Sequence, residues 1–204
     1  MVKAAAGTTA TRSADEPLAL FRRWFAEARR AGIELPEAMA LATADASGRP
    51  AVRMVLLKEA TPRGFVFFTD GRSRKARDLD ANPRAAVAFY WHETGKQVCV
   101  KGRVEEVDAA AADAYWATRP LGSRLAASVS MQSAPLASRA QLLAAWRRLE
   151  RQVGGAQVPR PPRWTGYRLL PGEIEFWRRG EFRLHHRILY VRRRDGWRRT
   201  LLQP

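Results

Sequence analysis

Short apolar runs broken by turn-forming Gly, Pro, Asn and Asp constrain this 204-residue chain more than any other feature. Met39–Asp45 and Ala51–Lys58 flank Ala46-Ser47-Gly48-Arg49-Pro50 and read as a hairpin. Phe65–Thr69 follows Thr61-Pro62-Arg63-Gly64, and Ala85–Trp91 with Gln97–Val107 read as another strand pair. Further strands are expected at Trp164–Leu170, Glu173–Arg178, Ile188–Arg193 and Trp197–Leu202. Helices interrupt them. A capping box at Ser13-x-x-Glu16, with Pro17 in the first turn, starts a helix carrying Leu18, Phe21, Trp24, Phe25 and Ala28 on one face and ending at Gly32. Other helices are predicted over Ser73–Asp80, Ala109–Thr118, Leu125–Ser130 and Arg139–Val153. This order favours a mainly β fold with helices (α+β), a β-barrel with helical insertions, over a parallel βαβ sheet.

The length suits one domain, expected at 15–204 after a disordered segment 1–14. The formal charge of +16 is unusual and rests on arginine, with lysine only at positions 3, 58, 75, 96 and 101. Such a balance raises nucleic acid as a partner. The arginines are spread along the chain and form no nucleic-acid motif, so anionic small-molecule sites and a solvated basic surface are expected instead. The single cysteine, Cys99, excludes an intramolecular disulfide and a cysteine-cluster metal site. No apolar run is long enough for a membrane span, and Met1–Ser13 has no apolar signal core, so a cytoplasmic location is expected.

Four constellations carry chemistry. In an extended strand Arg183, His185 and Arg187 would share one face, with Trp177 upstream, and such a cationic row calls for an anion opposite. Gly71-Arg72-Ser73-Arg74-Lys75 opens a helix with Ser73 as N-cap, so free N–H groups, Arg74 and Lys75 converge on a bound phosphate or on a solvated basic turn. Arg53-Met54-Val55-Leu56-Leu57-Lys58 brackets apolar residues with two cations that a regular strand sends to opposite faces. Tyr115 and Arg119 are four apart on one helix, Pro120 ends it, and Ser123 can cap the next, making a candidate phosphate clamp. Gln97, Gln132 and Ser133 are polar groups suited to a heterocycle, and three histidines without carboxylate partners do not make a metal site.

In this order, from about Pro17 to Pro204, the pieces resemble the pyridoxamine/pyridoxine 5′-phosphate oxidase family of FMN-binding split-barrel homodimers. The resemblance implies FMN contacts at Arg53, Met54, Val55, Leu56, Leu57, Lys58, Phe68, Thr69, Arg74, Lys75, Gln97, Gln132, Ser133, Trp177 and Arg187. It implies substrate contacts at Lys58, Tyr115, Arg119, Ser123, Arg183 and His185, the last two also catalytic. The implied reaction passes a hydride from a pyridoxine or pyridoxamine 5′-phosphate to the flavin and then to O2, forming pyridoxal 5′-phosphate and H2O2. FMN is implied to lie between the two subunits.

The chain departs from the family pattern at several places. His186 stands where an acid is usual, Arg178 where a small or neutral polar residue follows the Trp, and Arg124-Leu125-Ala126-Ala127-Ser128 where Gln-Ile-Gly-Ala-Trp is usual. No tyrosine precedes Tyr90, so the N-terminal Arg/Tyr lid is not expected. Several of these changes, with Trp91-His92-Glu93-Thr94, Ser128–Ser133 and Leu202-Gln203-Pro204, resemble the phenazine-biosynthesis branch, which implies oxidation of a reduced phenazine carboxylate as the alternative reaction.

Overall fold

In the computed structural model, which describes residues 10–11, 16–155 and 157–204, Trp164–Arg178 forms one strand that organises the sheet. The strands in chain order are β1 (Ala10–Thr11), β2 (Ala38–Ala44), β3 (Pro50–Leu56), β4 (Glu59–Thr61), β5 (Gly64–Asp70), β6 (Arg84–Trp91), β7 (Lys96–Glu106), β8 (Trp164–Arg178), β9 (His186–Arg193) and β10 (Gly196–Leu202). The helices are α1 (Glu16–Arg30), α2 (Arg74–Ala81), α3 (Ala109–Thr118), α4 (Leu121–Val129) and α5 (Arg139–Val153). Neighbouring strands run in the order β1-β10-β9-β8-β7-β6-β2-β3, and β5 joins β8 to β4. Every pairing is antiparallel. The result is the expected α+β half-barrel.

The expected strands Trp164–Leu170 and Glu173–Arg178 are thus one element. Pro171 and Gly172 do not end it, because β7 follows β8 on both sides of a register shift between Lys101 and Gly102. β8 uses its other edge twice, pairing with β5 through Trp164–Leu169 and with β9 through Glu173–Arg178. A bulge that increases local twist is how one strand can serve two sheet directions.

Phe21, Trp24 and Ala28 of α1 cover one end of the barrel and meet Phe65, Phe89, Trp91 and Phe176 in the main core. Phe21 meets Phe65 edge-on at 5.0 Å and Trp24 meets Phe176 at 5.2 Å, geometries that add to area burial. A second core of Trp116, Leu125, Val158 and Trp164 binds α3, α4 and α5 to the start of β8. The capping box at Ser13 lies outside the described residues, as does most of the expected disordered segment; within that segment, Ala10–Thr11 pairs with β10. Among the described residues no helix is long and apolar enough to cross a membrane.

At the bulge, a Cβ on Gly102 would stand 1.9 Å from the Leu170 carbonyl oxygen. Gly102→Ala is therefore expected to destabilise the fold by about 1–3 kcal/mol, the usual range for overpacking, read as a lower urea midpoint. An unchanged midpoint would show that β7 and β8 can separate here without loss.

Candidate functional site

The turn from β5 into α2 builds the first half of the site. Asp70 accepts from the Arg72 backbone N–H at 2.8 Å and from Arg72 Nε at 3.2 Å, and it pairs with Arg163 at 3.3 Å. Arg72 and Arg163 also donate to the carbonyls of Ser130 (3.2 Å) and Ser128 (2.8 Å). This network, which sequence reasoning missed apart from Arg72, ties the end of α4 to the α2 turn. It brings Gln132 and Ser133 to Thr69 and Arg74, although they lie about sixty positions apart in sequence. Ser133 adopts a left-handed φ of 72° and its Oγ accepts the Arg74 backbone N–H at 3.2 Å. Ser73 caps α2 as expected, its side chain accepting from Ala76 N–H.

Lys75 is buried, and its Nζ reaches only neutral oxygens: Thr69 Oγ1 and Gln132 Oε1, each at 2.9 Å. Burial first, then repulsion from Arg53, lowers the Lys75 ammonium to about 8. Arg53 donates to Thr43 Oγ1 at 2.6 Å and stands 3.5 Å from Asp78. Burial lowers its guanidinium from its ordinary value, with Asp78 opposing. A buried ammonium held by neutral partners beside Arg53 and Arg74 fits a phosphate, which supplies the missing negative charge.

A cavity of about 970 Å³ opens from this cation cluster. It gathers Arg53, Met54, Val55, Leu56, Lys58, Phe68, Thr69, Arg74, Lys75, Tyr115, Arg119, Ser123, Gln132 and Ser133, so the predicted residues of these segments converge. β3 ends at Leu56, which frees Lys58 from strand alternation and lets it share the cavity with Arg53. Leu57 is the exception, its side chain buried in the main core. Phe68 stacks on Tyr115 at 4.2 Å and on Trp164 at 5.3 Å, giving the cavity an aromatic wall. Trp164 lay outside the sequence-based prediction, since nothing separates it from a core tryptophan until α3 packs against it.

Two details of the clamp differ from expectation. α3 ends at Thr118, so Arg119 is its extended C-cap rather than the next turn of one helix face. α4 begins at Leu121 with Pro120 as its cap residue, so Ser123 lies inside the first turn and its N–H bonds the Pro120 carbonyl. Both side chains still line the cavity.

The C-terminal group sits elsewhere. Gln97, Trp177 and Arg187 are register partners across β7, β8 and β9 and do not line this cavity. The predicted row of Arg183, His185 and Arg187 is not formed: Glu181–Arg183 is a 3-10 turn in which Phe182 (φ 52°) and Arg183 (φ 64°) are left-handed. Two consecutive non-glycine residues in that region destroy strand alternation. Gly180 permits the turn, since a Cβ there would stand 2.0 Å from Leu184 O, and its N–H reaches His185 Nδ1 at 3.3 Å. His185 packs on Trp177 at 4.6 Å, whereas Arg187 is held by Glu175 at 2.8 Å and by Gln203 O. Burial raises the Cys99 thiol, consistent with a packed cysteine, and among the described residues no cluster could hold a metal ion.

The split barrel and its phosphate-fitting cation cluster suit an FMN-binding oxidoreductase, the class to which the family comparison assigns the chain. The pyridoxamine 5′-phosphate oxidase profile matches residues 25–177 and the pyridoxine 5′-phosphate oxidase C-terminal dimerisation region matches 164–204; the chain belongs to this family. It is 54% identical over 192 residues to a pyridoxine/pyridoxamine 5′-phosphate oxidase of Anaeromyxobacter dehalogenans, covering 94% of this chain and 97% of that one. It is 52% identical to the enzyme of that name from Rubrobacter xylanophilus, with coverages of 93% and 87%. Among solved structures, PhzG of Burkholderia lata 383, in complex with tetrahydrophenazine-1-carboxylic acid, superposes with a TM-score of 0.89 at 38% identity over 92% of each chain.

Lys75 yields a pH prediction. Its folded value near 8 lies below the unfolded lysine value of about 10.4, so the unfolded chain holds the extra proton between them. Stability of the FMN-free protein should therefore rise as pH goes from about 8 to 10, and FMN binding near pH 9 should take up a proton as the phosphate restores the ammonium. Calorimetry in buffers of different ionisation enthalpy reads that uptake, which Lys75→Met should remove. Binding without proton uptake would contradict the assignment.

Proposed function

We propose that the protein oxidises pyridoxine or pyridoxamine 5′-phosphate to pyridoxal 5′-phosphate as a homodimer. The observation that carries this reading is the second cation group of the cavity. Arg119 lies 5.0 Å from the Trp116 ring and 4.8 Å from that of Trp164, and its Nη1 is buried without a hydrogen-bond partner. Lys58 stands 5.8 Å from the Tyr115 ring, and Ser123 completes the rim. One cavity therefore has two cationic ends, one for the FMN phosphate at Arg53, Arg74 and Lys75, the other for a substrate phosphate. Holding the substrate by its phosphate fixes the ring against the cofactor, and such positioning can supply much of the barrier reduction.

Arg53, Arg74 and Lys75 would hold the FMN phosphate, and the bound flavin would supply two-electron redox chemistry between the substrate C4′ and O2, with H2O2 as the reduced product. The chain's own residues bind and orient. Gln97, Trp177, Arg183, His185 and Arg187 lie away from the cavity of their own chain, so a second subunit delivers them. This reading gives the C-terminal dimerisation region a chemical role. The Gly180 N–H contact makes His185 Nδ1 an acceptor, so in the neutral ring Nε2 carries the hydrogen and can donate to the substrate amine or alcohol.

Oxidation of a reduced phenazine carboxylate is the second reading, favoured by the PhzG likeness. A tricyclic monocarboxylate has no phosphate for Arg119, so the clamp favours the first. H2O2 formation from pyridoxine 5′-phosphate and from a reduced phenazine carboxylate decides between them. Turnover of the phosphate ester is expected, with kcat/KM falling roughly 30-fold or more in Arg119→Ala, since losing one partner of a buried charged contact costs about 2 kcal/mol or more. FMN-loaded protein that oxidises only the phenazine would overturn the first reading.

A further inference from the structure

Arg124 follows Ser123 on α4. Among the described residues, the buried side-chain nitrogens without a hydrogen-bond partner are Arg119 Nη1 and Arg124 Nε. Neither guanidinium joins any ion pair of the described residues. Arg119 lies over the rings of Trp116 and Trp164 and lines the cavity, whereas Arg124 is half-buried and does not line it. The backbone fixes Arg124 in place, because Pro120 O accepts both the Ser123 and the Arg124 N–H. Burial lowers the Arg119 guanidinium, Tyr115 opposes this, and the Arg124 charge lowers it further, so the two cations feel each other.

Orphaned N–H groups on buried cations are costly, at about 1–3 kcal/mol or more each. Two adjacent like charges add repulsion that a low-dielectric setting strengthens. A dianion compensates more of the positive charge of Lys58, Arg119 and the neighbouring Arg124 than a monocarboxylate does. We propose that Arg124 is a positioning residue of the substrate-anion site, acting through Arg119 to select a dianionic phosphate monoester over a monoanionic carboxylate. The inference rests on the phosphate-ester reading of Lys58, Tyr115, Arg119 and Ser123, and it assigns the charge preference of that site to a residue outside the clamp.

The test is titration of the FMN-loaded dimer with pyridoxal 5′-phosphate, the product ester that cannot reduce the flavin, followed by flavin absorbance at about pH 5.5 and about pH 7.5, either side of the second phosphate pKa near 6. Arg124→Gln should weaken binding about tenfold at the higher pH and far less at the lower, as expected for loss of one charge-assisted contribution of roughly 1.4 kcal/mol. Arg124→Lys should keep most of the affinity. FMN affinity and binding of unphosphorylated pyridoxine should stay at wild-type levels, and the loss should fall on KM rather than kcat. Wild-type affinity and pH profile in Arg124→Gln would overturn the inference alone. Equal losses in Arg124→Gln and Arg124→Lys at both pH values would also overturn it, marking a packing role. A wild-type protein that binds no phosphate ester at either pH would overturn the phosphate-ester reading, and this inference with it.

Discussion

Strand β8 is the constraint on which the rest of the molecule depends. It pairs with β7 over nearly its whole length, while its other edge serves β5 in the first half and β9 in the second. The β5 half leads into the α2 turn and hence to Arg74 and Lys75. The β9 half carries Trp177 and Arg187 into register with Gln97. Both groups of predicted ligand residues are thus hung on one strand, but at opposite ends. Their separation within one chain is a consequence of strand length, since a strand rises about 3.3 Å per residue, and it is why a second subunit belongs in the functional reading.

Charge is distributed by the same logic. Asp70 serves Arg72 and Arg163, Asp78 serves Thr43 and Arg53, and Glu175 serves Arg187. These carboxylates hold the frame. Lys75 receives only neutral oxygens, and Arg119 receives two indole faces. Buried cations are normally paired, so leaving these two without a carboxylate concentrates the electrostatic cost where an incoming phosphate can offset it. Arg53 and Arg187 keep a carboxylate while Lys75 and Arg119 join no ion pair of the described residues, so the uncompensated charge sits on two cations of the cavity wall.

That division was only partly legible in the sequence. Strand and helix positions followed from periodicity and turn residues, and the family resemblance carried by Arg53–Lys58, Arg74-Lys75, Tyr115–Ser123 and Gln132-Ser133 implied that they share one ligand site. The failures have local causes. Alternation around His185 broke because Phe182 and Arg183 take left-handed backbone, a state non-glycine residues seldom announce. Pro171-Gly172 read as a break because sequence punctuation marks a bulge and a turn in the same way. Trp164 and Arg163 escaped notice because their roles arise from contacts across long sequence separations, Arg163 reaching Asp70 and Trp164 meeting Phe68.

The family departures at Arg178 and His186 acquire a different weight once faces are assigned. Lys96, Arg178 and His186 are register partners, one step along from Gln97, Trp177 and Arg187. Successive side chains on a strand point to opposite faces, so the row containing His186 turns toward α1. Lys96 there pairs with Glu27 and lies 5.0 Å from the Trp24 ring. A histidine in place of an acid on that row changes the charge of a cavity beside α1 that Lys96, Arg178, His185 and Arg187 also line. Arg124 is the departure that stands next to the substrate clamp, and the charge it adds favours the ligand that brings two negative charges.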